Sequence, residues 1–339
     1  MMSLRFAIIG TGFWARYQLA AWRELPGVKC VALYNRTRSK ASELAAEFGI
    51  PAVYDDGEQM LHNERLDFVD IITDPGTHRH FVELAAKHRR PAICQKPMAL
   101  SLEDARAMKA ACDIAGVPLL IHENWRWQSP MRALKTVLES GAIGIPFRAR
   151  IDFVTSFPVF DNQPFLADVE RFILTDIGTH VLDCARFLFG EAQRVFATTR
   201  RVNPRIKGED VATVLTRHGE CTVVTNMSYA SRTEHEKFPE TFVFVEGSEG
   251  SVEITRGCQL HVTTKAGTER RNVSPPLYPW ADPAYALVHA SIVECHRDLL
   301  RALRGEGTAE TTAADNLKTL QLVFAAYDSA ASGHSVTFL

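Results

Sequence analysis

Residues 5–15 constrain this chain more than any other stretch. A short apolar run, Arg5–Ile9, ends on Gly10-Thr11-Gly12-Phe13-Trp14-Ala15, and a segment of helical length follows to Leu25. A G-x-G-x-x-A run between a strand and a helix is the pattern of a dinucleotide-binding turn. Gly10 permits the tight turn, Gly12 lets backbone approach a pyrophosphate, and Ala15 is small enough for the helix to pack on the strand. The helix start, with Thr11, Phe13 and Trp14, then offers free N–H groups and a favourable dipole to the phosphates. The competing reading, a glycine turn with no ligand, loses ground because the strand–helix–strand unit around it is complete.

The rhythm of the first third extends that unit. Apolar runs at Val28–Tyr34, Asp67–Ile72, Ala92–Cys94 and Val117–Ile121 alternate with helical segments at Ser39–Phe48 and Thr77–His88. A further helix runs from a capping box at Ser101-Leu102-Glu103-Asp104 to Gly116. Such alternation predicts right-handed crossovers and a parallel sheet. After about residue 123 strand patterns dominate, from Phe147–Thr155 to Gln259–Thr263, with helices predicted near Glu170–Leu188, Tyr285–Leu303 and Thr312–Ala331. The expected fold is α/β followed by α+β, with a dinucleotide-binding domain at 1–123 and a second domain at 124–339 on a mainly antiparallel sheet.

The second strand refines the nucleotide. An acid about 20 residues beyond the glycines would accept from a ribose 2′-hydroxyl. Leu33-Tyr34-Asn35-Arg36-Thr37-Arg38-Ser39 has none. Asn35 is neutral, and Arg36 and Arg38 could pair with a 2′-phosphate, so NADP is favoured over NAD. The plainer alternative is two solvated arginines at a helix start.

Two further features carry chemistry. Gln95-Lys96-Pro97 follows a buried strand, where a lysine stands at the ligand-binding end of a parallel sheet. On one helix, Asp176, His180 and Asp183 fall within roughly 60° of arc. An acid beside an imidazole favours its charged form and fixes its tautomer, which suits a general base for a hydroxyl proton. A capped, ion-paired helix is the competing explanation. Two acids and one histidine without further spaced ligands make a thin metal site, and none is expected.

Together these pieces resemble the Gfo/Idh/MocA oxidoreductases, the family of glucose–fructose oxidoreductase and inositol dehydrogenase. Gly10–Ala15, the Lys96-Pro97 of an E-K-P-like motif and Asp176-x-Gly178-x-His180-x-x-Asp183 occur in the family's order, over essentially the whole chain. The resemblance implies a Rossmann domain and a second domain whose open sheet packs in homodimers or homotetramers. It implies that Lys96 binds the reacting hydroxyl, that His180 exchanges its proton and that Asp176 orients substrate or His180, so the site draws on both domains. Asp183 would lie behind these groups. Thr73, Asp74 and His78 match a segment bordering the cofactor. Asn124 and Arg126, in Glu123-Asn124-Trp125-Arg126-Trp127, match a substrate-side motif, where Trp125 and Trp127 serve either a sugar face or packing. Two positions depart from the pattern: Gln95 replaces the usual Glu, and Asp74 a small residue or proline. The implied activity is hydride transfer between NAD(P) and a hydroxyl or carbonyl carbon of a sugar, inositol or related polyol. A non-catalytic NADP-binding sensor of the same fold, or a redox step inside a hydrolytic or epimerising cycle, are the alternatives.

The 339 residues suffice for two domains at about 150 residues each. With 38 Lys+Arg against 40 Asp+Glu, no basic excess points to nucleic acid or an anionic membrane. No run approaches the roughly 18 apolar residues of a membrane span. The early glycines speak against a signal peptide, and the 7 cysteines are scattered with no C-x-x-C pair. The expected location is the cytoplasm and the expected partner a small polar molecule.

Overall fold

In the first strand, β1 (Leu4–Ile9), the side chains from Phe6 to Ile9 are all fully buried, as a strand covered by helices on both faces requires. The computed structural model describes residues 3–338. Among these the strands form two sheets, one of six strands and one of nine, and the chain divides into two compact units.

The first unit holds the parallel sheet. Strands β2 (Val28–Tyr34), β3 (Ala52–Tyr54), β4 (Phe68–Ile71), β5 (Ala92–Gln95) and β6 (Leu119–His122) join β1 in the order β3-β2-β1-β4-β5-β6. Helices α1 (Phe13–Arg23), α2 (Arg38–Phe48), α3 (Gly57–Asn63), α4 (His78–Lys87) and α5 (Leu102–Ala115) connect them. The order reverses between β1 and β4, the place where such sheets bind ligands at the carboxyl ends of their strands. The anticipated capping of α5 is present. Ser101 Oγ accepts from the Asp104 N–H, and Gly116 closes the helix at a φ of 69°.

The second unit opens with α6 (Ser129–Glu139) and carries the nine-stranded sheet. Its strands are β7 (Pro146–Val154), β8 (Arg194–Arg200), β9 (Val211–His218), β10 (Cys221–Ser228), β11 (Phe242–Gly247), β12 (Gly250–Thr255), β13 (Gln259–Thr264), β14 (Gly267–Asn272) and β15 (Val336–Thr337). They lie in the order β14-β13-β12-β11-β7-β10-β9-β8-β15. All neighbours are antiparallel except β7 and β10. Burial alternates along β9 and β10, so one face is core.

The expected single helix near Glu170–Leu188 is in fact two pieces. After a short turn of helix, α7 (Val159–Asn162), α8 spans only Ile173–Asp176, and α9 spans Gly178–Phe189. Gly178 is a weak helix former, and the Thr179 hydroxyl reaches back to the carbonyls of Thr175 (3.2 Å) and Asp176 (3.0 Å). Asp176 therefore ends one piece, while His180 and Asp183 belong to the next.

The chain does not divide at one point. The first unit runs to Asn124 and also takes in Leu277–Pro283 and Ile292–Lys318. These include most of α10 (Ala286–Leu303) and the start of α11 (Ala313–Ser332). A sequence boundary at 123 cannot show this return, because a continuous helical pattern carries no mark of which unit each turn joins. The returning segment covers the outer edge of β6. The Ile121 N–H donates to the Thr311 carbonyl at 2.7 Å, and Thr311 Oγ1 donates to the Ile121 carbonyl at 2.7 Å.

Candidate active site

The carboxyl ends of β1, β2, β4 and β5 gather most of the expected cofactor residues in the first unit. Gly10 has a φ of 101°, and a Cβ there would lie 2.8 Å from the Ile72 carbonyl oxygen and 2.9 Å from Thr73 Cγ2, so only glycine fits. Gly12 caps α1 in an extended conformation and provides no side-chain cap. A Cβ on it would meet nothing within 4 Å, leaving the approach to the helix start open. No acid occupies the first turn. The buried Thr11 Oγ1 has no hydrogen-bond partner among the described residues. Uncapped N–H groups, open space and an unsatisfied hydroxyl fit a bound pyrophosphate. Phe13 and Trp14 form an edge-to-face pair, with Tyr17 edge-on to Phe13 at 5.4 Å.

At the end of β2, Asn35 Oδ1 accepts from the Thr11 N–H at 3.2 Å, tying the glycine turn to the second strand. Arg36 is exposed. Arg38 forms a 3.4 Å exposed pair with Asp55, an arrangement of little energetic weight. Beyond β4, Asp74 accepts from the Gly76 N–H at 2.9 Å and so caps the turn Pro75–Thr77, which gives this unusual residue a local task. Thr73 and Thr77 share a 2.8 Å hydroxyl contact.

His78 requires a correction. It is 0% exposed, with Nε2 3.1 Å from the Thr73 carbonyl and Nδ1 3.1 Å from that of Pro97. Burial lowers its pKa, so the ring is neutral and donates from one nitrogen. It pins the post-β4 turn to the Lys96-Pro97 loop and offers nothing to a cofactor. Gln95 and Lys96 end β5, and Gln95 Oε1 accepts from the Lys96 N–H at 2.8 Å.

The second unit holds Asp176 and His180. Glu209 accepts from the N–H groups of Phe172 (3.2 Å) and Leu174 (3.1 Å), which caps α8 and fixes the turn ending at Asp176. Gly208 makes this close approach possible, since a Cβ there would lie 2.8 Å from the Val169 carbonyl. The Tyr327 hydroxyl donates to Glu209 at 2.7 Å. His180 is buried and stacks on Trp125 with ring centroids 4.1 Å apart. Trp125 in turn donates Nε1–H to Thr241 at 2.9 Å. Trp125 is therefore the support of His180 and not a sugar platform, while Trp127 lies under the Arg132 guanidinium.

Arg126 has a structural partner in the second unit. Its Nε and Nη2 donate to the Asp183 carboxylate at 2.7 and 2.6 Å, and both residues are buried. Thr319 adds a 2.9 Å donor to Asp183, and Arg186 stands 3.6 Å away. Two of the five guanidinium N–H groups are committed to that carboxylate, so Arg126 braces α9. Asn124, also buried, ends the first unit.

Tyr229, one residue past β10, is a member of this site that the sequence conceals. It hydrogen-bonds Asp176, and burial followed by that carboxylate pushes its phenol well above the ordinary value. It therefore stays protonated and donates. In sequence it reads as the end of an apolar strand. Among the described residues, no group of three or more His, Cys, Asp or Glu is assembled as for a metal ion.

The sequence matches the oxidoreductase family with an NAD-binding Rossmann fold over residues 4–122 and the GFO/IDH/MocA C-terminal domain over residues 131–253. It is 47% identical over 331 residues to the D-apiose dehydrogenase of Paraburkholderia graminis, covering 97% of this chain and 88% of that one. It is 44% identical over 337 residues to the D-apiose dehydrogenase of Rhizobium rhizogenes, covering 99% and 98%. An Agrobacterium radiobacter oxidoreductase, solved in complex with NAD+, L-tartaric acid and magnesium, superposes with a TM-score of 0.97 at 44% identity, over 99% of this chain and 98% of that one.

Proposed function

The chain belongs to the Gfo/Idh/MocA oxidoreductases, and on that premise we propose that it oxidises D-apiose, or a pentose of similar size. It is an NAD(P)-dependent dehydrogenase acting on the CH–OH group of a sugar. The observation that carries the substrate reading is the near-full-length identity to two D-apiose dehydrogenases.

In this reading Gly10–Trp14 and the start of α1 hold the pyrophosphate, and Asn35 and Arg36 meet the ribose. The nicotinamide supplies the hydride acceptor when bound. His180 takes the hydroxyl proton, and Lys96 stabilises the developing alkoxide. Asp176, held by Tyr229, orients the substrate or His180. Arg36 stands exposed at the end of β2 with no acid in residues 34–39, and this supports NADP over NAD. Seven free buried cysteines fit a reducing, cytoplasmic setting, and no helix among the described residues is long and apolar enough to cross a membrane.

Initial rates on D-apiose, other pentoses, hexoses and inositols, with each cofactor, test the reading. D-apiose should give the highest kcat/KM. NADP should exceed NAD by about tenfold, the value of one charge-assisted hydrogen bond, and Arg36→Glu should reverse the order. Tight NADP binding with no turnover on any sugar would favour the sensor instead.

The same reading makes the protein a homo-oligomer through the open face of the large sheet. Phe196, Leu215 and Val224 stand opposite one another on β8, β9 and β10, and Phe196 and Leu215 are exposed at 39% and 41%. A large apolar stripe on an otherwise polar face marks an interaction surface. Light scattering should give a dimer or tetramer, and Leu215→Glu should lower the mass; a wild-type monomer excludes it.

A further inference from the structure

We propose that Gln95 is a positioning residue for Lys96, and that it works by holding His122 in a single neutral tautomer. The inference rests on the proposed role of Lys96, and every residue in it belongs to the first unit.

The chain of donors leaves little freedom. The Lys96 backbone N–H can only donate, so the Gln95 amide must turn its oxygen toward it, at 2.8 Å. That choice leaves Nε2 as the other end of the amide, 3.4 Å from Nδ1 of His122. Gln95 and His122 are register partners at the ends of β5 and β6, so the sheet itself sets this distance. A second amide nitrogen, Nε2 of the buried Gln18 on α1, also lies 3.4 Å from the same Nδ1. Gln95 Nε2 is thereby a donor, and Gln18 can turn its amide to suit either state of the ring, so Nδ1 is the acceptor and the ring proton falls on Nε2. With the proton on Nδ1, Gln95 would have to reverse its amide and abandon the Lys96 N–H.

The ring is enclosed by protein. His122 is 1% exposed and meets the fully buried His296 edge-to-face at 4.8 Å. Burial and the neighbouring His122 hold His296 well below the ordinary histidine value. Trp22 stacks on the other side of His296 at 3.8 Å. A glutamate at position 95 would still accept from the Lys96 N–H, but its second oxygen would face the Nδ1 lone pair. The glutamine that departs from the family pattern is thus the residue that satisfies a backbone donor and an imidazole acceptor at once.

Histidine-selective 15N labelling of the full-length protein with NADP bound reads the tautomer directly, with His122→Gln used to assign the signal. The expected wild-type result is an unprotonated Nδ1 and a protonated Nε2. Gln95→Glu should move the proton onto Nδ1. Gln95→Met, which removes the acceptor from the Lys96 N–H, should lower kcat about tenfold with the cofactor KM within about twofold. Gln95→Glu should recover part of that loss. An Nδ1–H tautomer in the wild type, or an unchanged kcat in Gln95→Met, overturns the inference. If Gln95→Met fails to fold, the wild-type tautomer and Gln95→Glu still decide it. Failure of the Lys96 assignment shows separately, as undiminished turnover in Lys96→Met.

Discussion

Alanine at His180 should lower kcat on the sugar by about 10²–10⁴-fold, the range that a positioned general base contributes, while the Kd for NADP stays within about twofold. The ring stacks on its Trp125 support, and it is absent from the unit that carries the glycine turn. The wild-type pH–rate profile should show an ascending limb from His180 that the variant lacks. Lys96→Met should cause a loss of about 10²–10³-fold by removing the charge that stabilises an alkoxide. It should leave that limb in place, so the two roles separate. Trp125 loses one stacking contact in His180→Ala, so circular dichroism and a melting curve accompany the assay. Near-wild-type turnover by a folded variant in either case would reject its assigned role.

The second large effect falls on stability. Asp183→Ala should cost about 3–5 kcal/mol, because it leaves the buried guanidinium of Arg126 without its counter-charge. Asp183 is 0% exposed, accepts from Arg126 and Thr319, and stands near Arg186. The melting temperature should drop by roughly 6–20 °C. Arg126→Met combined with Asp183→Leu removes both charges and should recover much of the loss. Asp183 shares a motif with His180, yet its substitution should leave the shape of the pH–rate profile unchanged wherever the variant remains folded. A melting temperature within about 2 °C of wild type would show that the ion pair does not brace α9.

These contrasts mark what the chain reveals in one dimension. The glycine turn and the strand–helix alternation of the first unit are local, since each depends on neighbours within a few residues, whereas the segment from Asp176 to His180 reads in sequence as one continuous helix and is broken in the fold. Most strands of the large sheet were equally legible, because alternating burial writes itself into the sequence. Strand β14 was not. Its residues Gly-Thr-Glu-Arg-Arg-Asn are all exposed, and only pairing with β13 makes them a strand. Arg126 and His78 were recognised as site positions, but the acceptors they meet set their tasks. Asp183 lies 57 residues from Arg126, and the Pro97 carbonyl lies 19 from His78. Tyr229 shows the converse, a hydroxyl that gains its partner only when β10 is brought beside α8. Long-range pairing of polar atoms is decided by packing, and a single sequence does not encode it in any short pattern.

The returning segment bears on how the molecule is made. Synthesis releases the six-stranded sheet first, but the edge of β6 is closed by Thr311, and the unit extends to Lys318 of a 339-residue chain. The nucleotide-binding half therefore leaves the ribosome early and is completed only when almost the whole polypeptide has emerged. In vectorial folding it is the second unit, most of which lies within that span, that has most of its chain available before the first can close.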